Sequence, residues 1–373
     1  MSAPEAASQR IDADGTGSPE AGGSTVATPA ESTPAAGATA GVGDHVPTCT
    51  GSDGVLVAED GKITGTDGDD EITCTDLHGL TEVDGLGGND TIRLWPQTRE
   101  EAGPELTVRG GEGNDTIESG DLVTPSTTFL GGEGEDRITV DGVFGAADGK
   151  ESLISGGGGK DTVKVKAIGS RAVVRGDADD DSISIGEEAG DNDADLGSSV
   201  YGGDGNDTIE IDGSLIETQI RGGDGNDKIT VRNGISEKAL VSGGGGNDTL
   251  DVYEISDGAA VLGEDGDDDI TFSGVVRGGV VDGGEGNDIL RGGEHPGVEK
   301  LERGVADGGV VRGGGGDDTI QGILESHLRA SDANSSVDGG DGTDTCYVKP
   351  GFHQIHSGEK PKAPVTSCEQ GDF

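Results

Sequence analysis

The chain has 373 residues, a formal net charge of −49, 74 glycines, 30% hydrophobic residues and 2% aromatics. So acidic a surface lacks the cation clusters that hold nucleic-acid phosphates, and no apolar run is long enough to span a membrane. Composition alone would point to disorder, an expectation that the repeat described below reverses.

Residues 1–48 are Ala, Gly, Ser, Thr, Pro and Glu without periodicity, which predicts a disordered low-complexity arm. The arm has neither the basic region nor the apolar region of a signal peptide. From residue 49 the pattern changes. A glycine-rich turn ending in aspartate recurs thirteen times, read most cleanly as GGEGNDTIE from Gly110, GGDGNDTIE from Gly202, GGDGNDKIT from Gly222 and GGGGNDTLD from Gly243. The aspartates are Asp70, Asp90, Asp115, Asp136, Asp161, Asp181, Asp207, Asp227, Asp248, Asp268, Asp288, Asp318 and Asp344. Successive steps are 20, 25, 21, 25, 20, 26, 20, 21, 20, 20, 30 and 26 residues. One coil is therefore about 20 residues, with loops in the longer steps.

Each coil repeats its apolar positions in one register. Two residues before the turn stand Ile63, Val83, Val108, Phe129, Ile154, Val174, Val200, Ile220, Val241, Val261, Val281, Val311 and Val337. Two residues after the aspartate stand Ile72, Ile92, Ile117, Ile138, Val163, Ile183, Ile209, Ile229, Leu250, Ile270, Leu290, Ile320 and Cys346. A leakier third ladder, Leu94, Val140, Val165, Ile185, Ile211, Val231, Val252, Phe272 and Val348, lies two residues further on. A spacing of two is strand alternation, and β-branched residues suit a pleated, half-buried surface. The prediction is an all-β, right-handed parallel β-solenoid of about 13 coils over residues 49–346. Twelve steps at strand spacing give a rod of about 58 Å. Its narrow core is shared between coils that could not fold singly.

Glycines allow positive φ and close backbone approach, turning carbonyl oxygens inward, while the aspartate adds a carboxylate at a fixed place. Ca²⁺ takes six to eight such oxygens, more than one turn offers, so ions are expected between stacked turns, at most about twelve of them for thirteen turns. A column of aspartates about 5 Å apart would otherwise repel itself, and folding is expected to depend on Ca²⁺.

The turns resemble those of the RTX, or haemolysin-type, calcium-binding repeat family over Gly65 to Cys346, about three-quarters of the chain. The resemblance implies that the carboxylates of all thirteen aspartates, with the glycine-loop carbonyls, are Ca²⁺ ligands. Several copies depart from the pattern. Thr66, Leu86, Asp177 and Glu264 replace the second glycine, and Asp179 replaces the fourth-position glycine. Aspartate at positive φ is costly, which makes the turn ending at Asp181 the expected weakest site.

The four cysteines fall in pairs at the two ends of the repeat, Cys49 with Cys74 and Cys346 with Cys368. Even count and the absence of C-x-x-C favour two disulfides and an oxidising compartment, against free thiols or a zinc site. Residues 347–373 are then a disulfide-tethered C-terminal cap. The tail GGDGTDTC followed by TSCE is similar to the ends of secreted actinobacterial calcium-binding repeat proteins. These features predict a secreted protein, although no signal peptide is visible.

No nucleophile elbow, zinc helix or phosphate loop is present in the sequence, and the chain is expected not to be an enzyme. His353 and His356 read as surface residues, and the DNDADLG stretch from Asp191 fails as an EF-hand because Leu196 stands where glycine belongs. The long steps place extra residues opposite the glycine turns, beginning at Trp95, Gly186 and Glu294. The functional expectation is a calcium-binding structural protein. The alternatives are a Ca²⁺-dependent adhesin or cell-envelope component with a cell-surface or glycan partner and, less favoured, a solenoid polysaccharide lyase or epimerase.

Overall fold

The computed structural model describes residues 47–52, 54–95, 105–120, 126–145, 150–186, 197–293, 305, 307–325, 335–350, 365, 366 and 368. The expected N-terminal arm lies outside these residues except for Pro47 and Thr48, and so do His353, His356 and the DNDADLG stretch except for its last residue, Gly197. Every named element among the described residues is a β-strand.

Each coil is a strand entering the glycine turn, the turn itself, and a strand leaving it. Entering strands, from Lys62–Thr64 to Ser336–Asp341, form one parallel sheet that ends with Val365–Thr366. Leaving strands, from Glu71–Cys74 to Thr345–Pro350, form a second parallel sheet. The pairing register is the one expected from sequence. Ile63 pairs with Val83, Val83 with Val108, and so on to Val311 with Val337; Ile72 pairs with Ile92, and the series ends with Ile320 on Cys346. The fold is a parallel β-solenoid with coils about 20 residues apart.

The inward alternation of both strands builds the core. Val108, Phe129, Ile154, Ile92 and Ile138 are fully buried, and each is covered by its counterparts one coil above and below. Where the third ladder leaks, Cys74 and Ser119 occupy the buried position. Phe129 and Phe144 meet with ring centroids 6.1 Å apart at a 42° tilt, one of the few aromatic contacts in an aliphatic core.

A further buried column, absent from the sequence reading, lines the edge opposite the glycine turns. Leu215 pairs with Ile235, Ile235 with Ile255, Ile255 with Val275 and Val275 with Val305. Beyond this column the chain reverses through tight turns with two consecutive positive φ values, such as Asp257 and Gly258 (52° and 80°) and Arg277 and Gly278 (49° and 80°). In sequence, the extra residues of the long steps fall between a leaving strand and the next entering strand. Trp95, at the start of one of them, packs on Gly120 of the next coil and is 39% exposed.

Both expected disulfides form, Cys49–Cys74 with Cα atoms 4.3 Å apart and Cys346–Cys368 at 5.7 Å. The first fixes the hairpin of Thr48–Gly51 and Gly54–Val57 over the start of the leaving-strand sheet, its strand Thr48–Gly51 running antiparallel to Glu71–Cys74. The second ties Cys368 close behind Val365–Thr366, the strand over the end of the entering-strand sheet.

Candidate metal centres

Positions in the turn are counted from the first glycine, so that the aspartate is the sixth. In twelve turns positions 2 and 4 both have positive φ, as at Gly111 (127°) and Gly113 (121°), and the side chains that replace glycine adopt it too: Leu86 (79°), Asp177 (84°), Asp179 (74°) and Glu264 (83°). Two of the replacements are compensated from the preceding coil. The Ser155 hydroxyl donates to Asp177 Oδ2, and the Ser242 hydroxyl donates to Glu264 Oε1 at 2.7 Å.

The aspartates stack in single file. The backbone N–H of each donates to Oδ1 of the next: Asp90 to Asp115, Asp115 to Asp136, Asp207 to Asp227 and Asp227 to Asp248, all at 2.7 Å, down to Asp318 on Asp344 at 3.0 Å. A second ladder, not read from the sequence, runs the other way through position 5. Here the N–H donates to the side-chain oxygen of the preceding coil, as Asn114 to Asn89 (2.9 Å), Asn226 to Asn206 (2.9 Å), Asn247 to Asn226 (2.7 Å) and Asn287 to Asp267 (2.7 Å). Lys160 has no acceptor and breaks this ladder; its ammonium instead meets the Asp180 carboxylate at 2.5 Å. Position-4 amides donate to the position-3 carbonyl of the next coil, as Gly113 to Glu133 (2.8 Å) and Gly225 to Gly245 (2.7 Å).

With those amides committed, oxygens are left over. Oδ2 of Asp90, Asp115, Asp136, Asp161, Asp181, Asp207, Asp227, Asp248, Asp268, Asp288 and Asp318 is buried and accepts no hydrogen bond. These residues are at most 3% exposed, and Asp344 is equally buried. The missing side chain of position 1 makes the room. A Cβ built on Gly110 would collide with Asp115 Oδ2 and with the Gly131 carbonyl of the next coil, and the same crowding recurs at Gly85, Gly156, Gly202, Gly222 and Gly283. Carboxylate and carbonyl oxygens thus converge on a bare Cα with no donor between them.

An ionised carboxylate so placed is unstable by itself. Burial pushes the acid pKa up to about 6 at Asp90, Asp136, Asp248 and Asp288, to about 7 at Asp161, Asp227, Asp268 and Asp318, and to about 8 at Asp181. Asp115 and Asp207 are raised for the same reason. The hydrogen bond from the preceding aspartate works against the rise at each site, and at Asp181 the neighbouring carboxylates of Asp161, Asp207 and Asp177 add to it.

The donor set fits a hard divalent cation: hard oxygens, one uncompensated charge per turn and carbonyls from the adjoining turn. Among the described residues no three His, Cys, Asp or Glu side chains gather into a cluster, because single-file stacking supplies one carboxylate per coil. Any ion would therefore lean on backbone carbonyls for most of its shell. Asp70 stands apart from the other twelve: its Oδ2 accepts the Thr66 N–H at 2.6 Å and the Thr66 hydroxyl at 2.9 Å.

No helix of the described residues is long and apolar enough to cross a membrane. Six segments, residues 107–121, 198–210, 219–235, 240–252, 280–295 and 327–351, match the family model of the RTX calcium-binding nonapeptide repeat (4 copies). Each covers a turn that keeps glycine at positions 1, 2 and 4. No curated protein and no solved structure matches the chain.

Proposed function

We propose that this chain of RTX calcium-binding repeats is a secreted, non-enzymatic rod whose coils are cemented by Ca²⁺ held between successive aspartate turns. The observation that carries the reading is the column of buried Oδ2 atoms, from Asp90 to Asp318, facing oxygens and no donor. In it the Asp carboxylates and turn carbonyls hold the ions, and the ion supplies the positive charge that the fold omits. The aspartate N–H to Oδ1 ladder fixes each carboxylate so that only Oδ2 is left for the metal. Two disulfides at the ends of the rod agree with folding in an oxidising, calcium-rich exterior. Coupling folding to Ca²⁺ would keep the chain extended until export.

The test is a Ca²⁺ titration of chelated protein followed by far-UV circular dichroism, with Mg²⁺ as control. A cooperative coil-to-β transition with Ca²⁺ alone is expected. A β spectrum indifferent to chelation would remove the metal from the folding mechanism.

A further inference from the structure

The turn Gly65–Asp70 shares the bare first glycine of the other twelve but departs from them in backbone shape, in the hydrogen bonding of its aspartate and in exposure. Neither Thr66 nor Gly68 has the positive φ that positions 2 and 4 share in every later turn. Thr66 closes the turn on itself, its N–H and hydroxyl both reaching Asp70 Oδ2 (2.6 and 2.9 Å) while its Oγ1 accepts the Gly68 N–H at 3.3 Å. The oxygen left without a donor in the coils from Asp90 to Asp318 is thus satisfied here by the protein. Asp70 is also only half-buried, so water helps to solvate its charge.

The coil around this turn is covalently pinned. Cys74, four residues past Asp70, is bonded to Cys49, and the hairpin Thr48–Val57 lies against Glu71–Cys74. Cys49, Ile63, Ile72, Leu77 and Leu80 of this end of the chain are buried in the core. What the coil presents to its neighbour is the Asp70 N–H, donated to Asp90 Oδ1 at 2.7 Å. That bond orients the first carboxylate with an unmatched oxygen.

We propose that the first turn folds without metal and is the fixed template on which the calcium-dependent coils stack, so that Asp70 is not a calcium ligand. The proposal rests on the calcium reading of the later turns. Thr66 does for one turn what an ion does for the rest, and the disulfide keeps the template from unravelling in the metal-free chain. Stacking then grows from the Asp90 coil towards the Asp344 coil, as nearest-neighbour coupling in a solenoid allows.

Hydrogen–deuterium exchange on the full chain with both disulfides closed tests it, comparing chelated and Ca²⁺-loaded protein. Without metal, amides of residues 62–74 are expected to exchange at least about tenfold more slowly than those of residues 106–292; with Ca²⁺ both regions are protected. Rapid exchange of both regions in chelator would overturn the template while leaving the calcium reading intact. Protection of both would overturn the calcium reading, and the template with it. Thr66→Gly is expected to abolish the metal-free protection of residues 62–74 without changing it in Ca²⁺, and retained protection would overturn the role given to Thr66. In native mass spectrometry Asp70→Ala should bind as many Ca²⁺ ions as the wild type while Asp227→Ala binds fewer; a lower count for Asp70→Ala would overturn the exclusion of Asp70.

Discussion

The two edges of each coil solve the same problem, reversing a strand, by opposite means. On the glycine edge the turns from Asp90 onward have one backbone shape, are laced together by two hydrogen-bond ladders, and carry a buried carboxylate oxygen with no protein donor up to Asp318. On the other edge the reversals vary in length, use local two-residue turns and join neighbours through exposed ion pairs such as Arg277 with Asp257. The uniform edge is constrained because each turn gives hydrogen bonds to, and crowds its aspartate oxygen against, the next; a change in one coil is felt in its neighbours. The variable edge only has to return the chain to the core, so it tolerates insertions.

The largest effect that separates the edges is collective and depends on pH. Burial raises the folded-state pKa of Asp90, Asp136, Asp161, Asp181, Asp227, Asp248, Asp268, Asp288 and Asp318 to about 6–8, above the ordinary 3.8, so each favours the protonated folded form when no metal is present. Their contribution to metal-free stability is therefore fully present below about pH 3.8 and is lost as pH rises through 6 to 8. With Ca²⁺ the sign inverts, because protons compete with the ion. Metal-free protein, a coil near pH 8, should gain β structure by circular dichroism on acidification to about pH 5.5, whereas melts of Ca²⁺-loaded protein should move down over the same range. Responses of the same sign in the two series would mean that the turn carboxylates do not decide stability.

Next in size is a paired glycine substitution. A Cβ on Gly222 would run into Asp227 Oδ2 and the Gly243 carbonyl, whereas one on Gly213, at the opposite edge, meets nothing within 4 Å. Gly222→Ala should cost about 2–4 kcal/mol through overpacking of a shared site. Gly213→Ala should stay within about 0.5 kcal/mol of the wild type. Chemical denaturation in Ca²⁺ measures both, and equal costs would erase the distinction between the edges.

A smaller and more diagnostic effect comes from Asp227→Asn. The amide oxygen can still accept the Asp207 N–H, but the group facing the Gly243 carbonyl becomes an uncharged donor. Without metal the variant should reach the β form at higher pH than the wild type in an acid titration followed by circular dichroism, since a buried unmatched charge has gone. With Ca²⁺ it should be less stable by about 1–2 kcal/mol, since a charged ligand has gone. A change of the same sign under both conditions would show that Oδ2 does not face the ion.

How much of this was legible in the sequence depends on whether a feature keeps its distance from the turn. Ile63, Val83 and Val108 precede their first glycine by two residues, and Ile72 and Ile92 follow their aspartate by two, so register, sheet and core emerged from spacing alone. The column Leu215, Ile235, Ile255 and Val275 follows its aspartates by 8, 8, 7 and 7 residues, and a one-residue slip at the variable edge hid it. The position-5 ladder was visible as Asn89, Asn114 and Asn206, but its use is a relation between coils that no single repeat displays. Asp177 and Glu264 read as defects until their hydroxyl partners, Ser155 and Ser242, came into view 22 residues upstream. Thr66 read as a lost glycine, whereas its hydroxyl closes the turn by another route.

The smallest expected effect lies at the variable edge. Arg277 grips Asp257 with two bonds, Nε to Oδ1 at 2.7 Å and Nη2 to Oδ2 at 2.9 Å, and the guanidinium holds the Asp257 carboxyl below its usual pKa. Geometry this good would suggest a strong bond, yet the side chains are 54% and 41% exposed, so water and salt compete for both charges. Asp257→Asn keeps a residue that tolerates the local φ of 52° and removes only the charge. Its cost should be under about 1 kcal/mol and should shrink further in high salt. The calcium dependence of folding should be unchanged, because no turn carboxylate is touched. A loss as large as that of Gly222→Ala would show that the ion pairs of this edge, and not the turns alone, hold neighbouring coils in register.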